Sequence, residues 1–291
     1  MTAFSETDDQ RVTACVPAYR SGAFIQRTLD SLAAQTYASL DVVVSDDCSD
    51  DDPGARCAAM ASRDSRFKVV RQTQRLGWVG NVNFLLAQVD SPFVFIMPHD
   101  DWLEPTYVER LVAGLIASPG AVLAYADSEE WRLNQGDSIT CFPASPLGDT
   151  PQRRGARFIR FEYGCWLPYR GLIRTAVLKR VGGLRRHRRG EVYADIDWLL
   201  ALALEGAFVR QPEVLYHKEY QQTSLTYQWI LDHRAMLAAL WACMGRVSES
   251  RVGVGAKAML VATIFERCSR VLAKMLLEKI KLRRPASDLR L

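Results

Sequence analysis

Two pairs of aspartates directly follow apolar runs of the chain. Asp100 and Asp101 come after the run 93–97, and the pair at 46–47 comes after the run 40–45. A divalent cation that carries a diphosphate is usually held by oxygen ligands from one or two carboxylates. In open α/β sheets the ligand crevice lies at the carboxyl ends of the strands. The two pairs therefore predict a site for a metal–nucleotide complex.

A single Asp-Asp pair has a simpler structural explanation, because aspartates also cap helices and build turns. Here, however, a third strand candidate, 12–16, is followed by Pro17, Ala18 and Tyr19. Three strand ends thus offer a proline, an aromatic ring and two carboxylate pairs. This combination favours a ligand site over turn formation alone.

The chain from residue 11 to about 131 alternates strand-like and helix-like segments. Apolar runs bounded by turn residues predict strands, and apolar residues at helical spacing between them predict helices. The alternation predicts an α/β, Rossmann-like fold with right-handed crossovers and a mainly parallel sheet covered by helices on both faces. The predicted strands are 12–16, 40–45, 67–70, 92–97 and 121–126.

The alternation stops after this region. Residues 134–155 carry Gly, Pro, Ser and Asp at the density of a loop. A helix is predicted over 195–204 and a strand over 208–216. From about Tyr227 to Lys281 the pattern is helical throughout, and a basic tail follows.

The composition is typical of a soluble globular protein, with 48% hydrophobic and 24% charged residues among 291. Seven scattered cysteines without a C-x-x-C spacing argue against a disulfide framework or a structural zinc site, and favour a reducing compartment. The first ten residues lack the apolar core of a signal peptide. The apolar stretch 254–265 is too short to span a bilayer and contains Lys257. We therefore expect a cytoplasmic protein.

Six short motifs follow one another in a specific order and carry a family resemblance. From about Val12 to Thr226 the chain resembles the inverting, nucleotide-diphospho-sugar-dependent glycosyltransferases of family 2, which have the GT-A fold. The motifs are Val-Pro-Ala-Tyr at 16–19, Ser-Leu-x-x-Gln-Thr-Tyr at 31–37, Asp-Asp-Cys-Ser-Asp at 46–50, Gly-x-x-x-Asn-x-Asn at 77–83, His-Asp-Asp at 99–101 and Ala-Asp-x-Asp at 194–197.

The resemblance implies a role for each residue at the strand ends. Pro17 and Tyr19 would flank the nucleobase, and Asp47 would accept a hydrogen bond from it. Asp100 would hold the ribose, and Asp101 would ligate a Mn²⁺ or Mg²⁺ ion that bridges the diphosphate. Such an ion neutralises the charge that develops on the leaving diphosphate.

Two further expectations concern the same region. Arg71 and Arg75, after the third strand, could add positive charge near the nucleotide, although solvated surface arginines are an equal alternative. Asp101 is expected in a solvent-facing turn beyond the buried part of its strand.

Inversion at the anomeric carbon needs a base that takes the proton of the acceptor hydroxyl. By the resemblance this base is Asp195, at the start of a predicted helix, with Asp197 as the reserve candidate. The alternative is structural: a helix cap followed by an acid that the helix dipole favours.

The chain departs from the family pattern at several positions. Cys48 replaces the glycine usual in the Asp-Asp-Gly-Ser turn, and Ala194 replaces the glutamate usual before the base. A histidine that often precedes a Ser-x-Ser/Thr run is here Gln221. His217 lies four residues earlier and is a second candidate metal ligand, although a lone histidine at a strand end is more often structural.

The leading hypothesis is a metal-dependent inverting glycosyltransferase that moves one sugar from a nucleotide-diphospho-sugar, with UDP-sugar favoured, to an acceptor hydroxyl in cell-surface polysaccharide assembly. Processive synthases carry a Gln-x-x-Arg-Trp signature, which is absent here. One alternative is a catalytically silent sugar-nucleotide-binding subunit, which Ala194 and Gln221 favour. Another is a nucleotidyltransferase, but residues 17–22 do not form its Gly-rich basic loop. Nucleic-acid binding has little support, because no recognition module is found.

Basic residues are concentrated on the expected acceptor side of the cleft. Residues 151–190 contain twelve Arg and Lys against the single acid Glu162. Clustered arginines suit phosphate, so we expect a glycan or lipid-linked glycan acceptor and peripheral contact with the inner face of the membrane. The alternative is a solvated basic surface around a neutral acceptor. The arginines are Arg153, Arg154, Arg157, Arg160, Arg170, Arg174, Arg180, Arg185, Arg186, Arg188 and Arg189.

We expect two units in the chain. Residues 1–226 would form the GT-A catalytic domain, with its acceptor-side segment at about 132–226. Residues 227–291 would form a C-terminal helical region whose apolar stripes are typical of a core or of a homo-oligomer interface.

Overall fold

The computed structural model describes residues 10–51, 53–132, 138–142, 148–220 and 232–283. Its core is a parallel array of four strands in the order β3-β2-β1-β4. The prediction of a mainly parallel sheet is confirmed. The register aligns Ala18 with Asp46, and Cys15 with Ile96, so three of the strands end side by side. The strands are β1 (Val12–Ala18), β2 (Leu40–Asp46), β3 (Phe67–Arg71) and β4 (Phe93–Ile96).

The sheet continues beyond β4 through strands that are mostly short and antiparallel. Strand β8 (Leu172–Arg174) pairs antiparallel with both β4 and β6, and the long strands β6 and β9 pair parallel to each other. Three short strands were not predicted: β5 and β8 have only two and three residues, and β7 lies in the segment 134–155 that was expected to be a loop. The remaining strands are β5 (Trp102–Leu103), β6 (Ala121–Arg132), β7 (Ser138–Phe142) and β9 (Ala207–Glu219).

Helices cover both faces of this sheet and create two apolar cores. One core lies under α1, α2 and α4, and the other lies under α3, α5, α7 and the two C-terminal helices, with Trp198 fully buried in it. The helices are α1 (Ile25–Ala33), α2 (Gly54–Arg63), α3 (Gly77–Ala87), α4 (Tyr107–Ala117), α5 (Pro151–Arg160), α6 (Thr175–Val181), α7 (Ala194–Glu205), α8 (His233–Glu249) and α9 (Val254–Arg283).

Helix α5 begins inside the segment expected to be a loop. Pro151 occupies its first turn, where the missing N–H costs nothing, and the Thr150 hydroxyl accepts a hydrogen bond from the Arg153 N–H at 3.4 Å. Gly155 lets α5 approach its neighbours closely, since a Cβ there would lie 2.8 Å from a methyl of Leu260 and 3.1 Å from one of Leu200. Helix α5 therefore joins α7 to α9.

The C-terminal helices share the second core with the sheet. Leu240, Cys243 and Val247 of α8, and Leu260 and Ile264 of α9, are buried in the same cluster as α7. The expected division near residue 226 falls outside the described residues and stays a prediction. Among the residues that the structure describes, no helix is long and apolar enough to cross a membrane.

The junction of α7 and α8 contains a buried ion pair. Arg246, 3% exposed, donates from Nε to Asp197 Oδ2 at 2.7 Å. The same guanidinium donates to the carbonyls of Val181 at 3.0 Å and Gly183 at 2.9 Å. One side chain thus fixes α8 against the end of α6.

We predict that Arg246→Met lowers the free energy of unfolding by about 3–5 kcal/mol, because the Asp197 carboxylate stays buried without its partner. Urea unfolding followed by circular dichroism measures the change. The matched control is Arg180→Met, which removes the partly exposed pair with Glu205 at 3.0 Å and should cost no more than about 1 kcal/mol. Similar losses of unfolding free energy in both variants would show that the buried ion pair stabilises the fold no more than the partly exposed pair does.

Candidate functional site

The three strand ends meet at one edge of the sheet, as predicted. The Asp47 N–H donates to the Ala18 carbonyl at 2.9 Å, and the Met97 N–H donates to that of Cys15 at 2.8 Å. The ring of His99 lies with Nδ1 3.0 Å from the Pro17 carbonyl oxygen. The Asp-Asp turn is therefore tied directly to the end of β1.

The two predicted arginines have different surroundings. The Arg75 guanidinium lies over the Tyr19 ring, 4.1 Å from its centroid. Arg71, the last residue of β3, donates to the Ser49 carbonyl at 3.0 Å and lies 3.6 Å from Asp46 Oδ2. Arg75 is thus beside the expected nucleobase position, whereas Arg71 holds the turn after β2.

The Asp47 carboxylate binds the amino end of α3. It accepts the Leu76 N–H at 2.6 Å and the Gly77 N–H at 2.9 Å, where helix ends leave donors unpaired. Glu191 completes this cap by accepting the Trp78 N–H at 3.1 Å and Arg186 Nε at 2.8 Å. Burial raises the pKa of Asp47 despite the two backbone donors. Sequence reasoning missed Glu191, because no local pattern links it to a helix that begins 114 residues earlier.

The replacement of glycine by Cys48 in the turn after β2 coincides with an unusual backbone conformation. Cys48 adopts a φ of 58°, the left-handed region that glycine enters without strain. The glycine that relatives have at this turn would fit the same conformation.

Asp101 is fully buried, and the expectation that it faces solvent was wrong. Two side chains of α1 draw the turn inward. The Thr28 hydroxyl lies 2.9 Å from the His99 carbonyl and 2.7 Å from that of Asp101, and Arg27 donates to the Asp100 carbonyl at 3.2 Å. The turn is therefore packed under α1 rather than extended beyond the strand.

Three side chains that sequence reasoning did not place surround the Asp101 carboxylate. The Tyr216 hydroxyl donates to Oδ2 at 2.5 Å, Arg170 Nε lies 3.5 Å from Oδ2, and Lys218 Nζ lies 4.0 Å from Oδ1. Oδ1 is buried and has no hydrogen-bond partner among the described residues. A carboxylate oxygen that accepts no hydrogen bond is of the type that hard divalent cations take as a ligand.

The two carboxylates of this turn differ in their pKa. Burial raises the pKa of Asp101, against the opposing charges of Lys218 and Arg170. Burial also acts to raise that of Asp100, but the charges of Lys218, His99 and Arg170 outweigh it and lower the pKa. Asp100 thus stays ionised more easily than its neighbour.

Asp195 lies in the first turn of α7, after Tyr193 with its left-handed φ of 63°. Burial raises the Asp195 pKa to about 6, against its backbone donors and the charge of Arg170. The same Arg170 charge acts on Asp101. The charge of Arg170, itself 8% exposed, thus acts to lower the pKa of both carboxylates, against the effect of burial.

The two reserve candidates have structural partners. Asp197 is held by Arg246 in the buried pair described above. His217 lies with Nε2 2.8 Å from Glu104 and Nδ1 3.4 Å from Glu129, and it stacks on Trp102 with ring centroids 5.1 Å apart. Side chains alternate along a strand, so His217 of β9 faces away from the side on which Tyr216 and Lys218 approach Asp101. Within the described ranges no three His, Cys, Asp or Glu side chains cluster as metal ligands do, and Gln221 lies outside those ranges.

Several arginines of the segment 151–190 have partners within the fold. Arg154 donates to the Ala203 carbonyl at 2.9 Å, Arg185 pairs with Glu249 at 2.8 Å, and Arg186 pairs with Glu191. These three arginines, which were expected on the acceptor side, therefore form contacts within the fold.

The glycosyl transferase family 2 model matches residues 13–175, more than half of the chain. Among curated proteins, the chain is 31% identical over 142 residues to glycosyltransferase GlyA of Streptococcus pneumoniae, which covers 49% of this chain and 20% of GlyA. It is 28% identical over 239 residues to the succinoglycan biosynthesis protein ExoO of Rhizobium meliloti, covering 78% of this chain and 66% of ExoO. The chain thus spans only part of the length of these relatives.

Solved structures show the same fold. S. aureus TarS 1-349 in complex with UDP-GlcNAc superposes with a TM-score of 0.71 at 18% identity, covering 88% of this chain and 72% of that one. The mannosyltransferase PcManGT from Pyrobaculum calidifontis, in complex with GDP-Man and Mn²⁺, superposes with a TM-score of 0.60 at 17% identity. The match covers 93% of this chain and 76% of PcManGT. The α/β architecture is that of GT-A glycosyltransferases, and the chain belongs to glycosyltransferase family 2.

We predict that Gly77→Ala lowers the free energy of unfolding by about 1–3 kcal/mol, the usual cost of a left-handed residue other than glycine. Gly77 has a φ of 75°, and a Cβ there would lie 2.9 Å from Glu191 Oε1. Urea unfolding measures the loss. Gly120→Ala is the control, since its Cβ would meet nothing within 4 Å. A Gly77→Ala variant as stable as this control would show that the α3 cap tolerates a side chain.

Proposed function

We propose that this protein is an inverting, metal-dependent glycosyltransferase. It transfers one sugar from a nucleotide-diphospho-sugar to an acceptor hydroxyl. The observation that carries the proposal is the buried Asp101 carboxylate at the strand ends, with Arg170 Nε 3.5 Å from Oδ2 and Lys218 Nζ 4.0 Å from Oδ1. These two cations would lie beside the diphosphate that Asp101 and its metal ion would hold.

The donor site is assigned to the edge formed by β1, β2 and β4. Tyr19 and Pro17 would flank the base, with Arg75 next to Tyr19, and Asp100 would hold the ribose. Asp47 would serve the base while it also caps α3, since each carboxylate oxygen can accept more than one hydrogen bond. A UDP-sugar is the favoured donor, and the TarS complex with UDP-GlcNAc supports this choice.

Asp101 would hold a Mn²⁺ or Mg²⁺ ion through Oδ1, which accepts no hydrogen bond from the described residues. The bound ion would supply Lewis-acid neutralisation of the diphosphate. Arg170 and Lys218 would add fixed positive charge on the same side, where charge develops as the bond to the sugar breaks. The PcManGT complex with Mn²⁺ supports metal use.

Asp195 would act as the general base. A pKa of about 6 keeps the carboxylate ionised at neutral pH while making it more basic than an ordinary aspartate. Its position in the first turn of α7, on a helix buried almost throughout, fixes where it points. Asp197 is a weaker candidate because Arg246 occupies its carboxylate.

A silent sugar-nucleotide-binding subunit is the second candidate, which the replacements at Ala194 and Gln221 favour. The presence of Asp195 at the position assigned to the base favours turnover instead, because a subunit that only binds needs no base. The test is incubation of UDP-sugars and other nucleotide sugars with Mn²⁺ and no acceptor. A transferase slowly releases the nucleoside diphosphate, whereas a silent subunit gains thermal stability from the donor but releases nothing.

The biological role that we propose is assembly of a cell-surface polysaccharide, which the likeness to the succinoglycan biosynthesis protein ExoO supports. The product anomer, read by NMR, tests the inverting outcome directly: a product with the donor's anomeric configuration would contradict it.

We predict that Asp101→Asn abolishes the strengthening of UDP binding by Mn²⁺, since the amide keeps the shape of the carboxylate but loses its charge. Isothermal titration with and without Mn²⁺ measures this difference. Asp127→Asn is the matched control, because it removes another buried carboxylate, paired with Arg210 at 2.7 Å, away from the strand ends. Unchanged Mn²⁺ dependence in Asp101→Asn would remove Asp101 from the metal site.

We predict that Asp195→Asn lowers the transfer rate by about 10²–10⁴ and leaves donor affinity unchanged. The wild-type rate should rise with pH through about 6, as the base ionises. Glu109→Gln, which removes an acid from the first turn of α4, controls for a helix-dipole effect. Near-normal transfer by Asp195→Asn would leave Asp195 a structural residue.

The Asp195→Asn variant should also differ from wild type in how its stability depends on pH. The folded-state pKa of Asp195 is raised to about 6, above the ordinary value of 3.8 for an aspartate, so the folded chain binds the proton more tightly. Wild-type stability therefore falls as pH rises between about 4 and 6. Asp195→Asn should gain thermal stability over wild type at pH 8 but not at pH 4.

A further inference from the structure

Exposed apolar side chains are concentrated on one helix. Among the described residues, nine large apolar side chains are strongly exposed, and six of them belong to α9. Phe265 is 61% exposed and Leu272 is 53% exposed. The six are Val254, Met259, Phe265, Leu272, Leu276 and Leu277.

Four of these six residues form one stripe, and Met259 and Leu277 lie about a third of a turn from it. Val254, Phe265, Leu272 and Leu276 are separated by 11, 7 and 4 residues, and each step returns to nearly the same side of a helix of 3.6 residues per turn. The small residues Ala258, Ala262 and Ser269 lie on the same side between them. The stripe is thus not interrupted by a large charged residue along its centre.

The opposite side of α9 is fixed to the protein. Leu260, Ile264 and Val271 are each at most 3% exposed, and the first two belong to the second core. Because this side is already packed, the apolar stripe points outward in the folded chain.

Positive charge lies beside Met259, about a third of a turn around α9 from Phe265. A cleft of about 320 Å³ between α5 and α9 is lined by Arg153, Arg157 and Arg160 together with Met259 and Thr263. Arg157 and Arg160 share one carboxylate, Glu162, at 3.0 and 3.9 Å, so the cleft keeps a positive balance.

The helix itself carries the same sign. Its thirty residues include seven Lys or Arg against Glu266 and Glu278. An apolar face with basic residues at its margin is the pattern of helices that lie in the interface of an anionic bilayer.

We propose that the face formed by the exposed apolar residues of α9 and the arginines of the cleft docks on an anionic lipid bilayer. The apolar side chains would enter the interfacial region, and the arginines of the cleft would contact lipid phosphates. A bilayer fits better than a second copy of the chain, since a symmetric pairing would bring two positively charged margins together. Helix α5 packs on α7, which carries the proposed base Asp195 in its first turn. Docking would therefore hold α7 at a fixed distance from the membrane surface.

The test is vesicle flotation of the full chain, with phosphatidylcholine vesicles that contain or lack phosphatidylglycerol, at low and physiological salt. We expect flotation only with the anionic vesicles, weaker at the higher salt. Arg153→Gln with Arg160→Gln should reduce partitioning about 25-fold, since each charge near the surface contributes about fivefold, equivalent to about 1 kcal/mol. Phe265→Ser with Leu272→Ser should reduce it by about tenfold or more.

Matched controls use residues of the same type elsewhere. Arg56→Gln with Arg63→Gln changes two exposed arginines of α2, and Ile116→Ser changes an exposed apolar residue of α4. Neither should alter flotation. All variants should keep donor hydrolysis in the absence of vesicles, so failure of the docking proposal is distinguishable from failure of the proposed function.

Three results would overturn the proposal: equal flotation with neutral vesicles, no flotation at either salt, or equal losses in the control variants. A further contrary result is a dimer in light scattering that Phe265→Ser with Leu272→Ser converts to a monomer while wild type ignores vesicles. That result would assign the stripe to a second copy of the chain.

Discussion

The site is organised around a carboxylate, that of Asp101, which is removed completely from water. An ionised group in the interior is costly unless opposite charges and donors surround it. Arg170, Tyr216 and Lys218 provide them, and they come from a turn and a strand more than sixty residues away in the chain. The pairing of β5 with β9, which aligns Trp102 with His217, brings that strand to the aspartate turn. The Tyr107 hydroxyl of α4 holds the Arg170 carbonyl at 2.5 Å and so ties the turn to the first core.

A second constraint joins the two sides of the cleft at the start of α3. Its unpaired N–H groups are accepted by Asp47 from β2 and by Glu191 from the segment before α7. Arg186 strengthens this junction by donating both to Glu191 and to the Leu76 carbonyl. The residues assigned to donor binding and the helix that carries the proposed base are therefore linked through one helix end, which limits how far either side can move alone.

The many arginines of this protein serve distinct purposes that composition does not separate. Arg246 and Arg154 are buried and bind backbone carbonyls of neighbouring elements. Arg170 is buried beside carboxylates of the site. Arg153, Arg157 and Arg160 of α5 line an outward cleft beside Met259 of α9. Burial and partners, rather than local charge density, decide which of them can meet a ligand.

The local pattern of the sequence determined the parallel core strands, the alternation with helices and the placement of the aspartate pairs at strand ends, because strand period, turn residues and motif spacing are properties of neighbouring residues. The extra strands β5, β7 and β8 were not predictable, since such short segments form only when a longer partner is present. The tertiary structure alone decided that Asp101 is buried, that His217 faces two glutamates, and that Asp197 forms an ion pair with Arg246. Each outcome depends on a contact between residues far apart in the chain: Asp101 with β9, His217 with Glu104, and Asp197 with a helix that follows it by 49 residues. A carboxylate at a strand end is visible in sequence, but whether it faces solvent, a cation or an arginine is decided by what the rest of the chain packs against it.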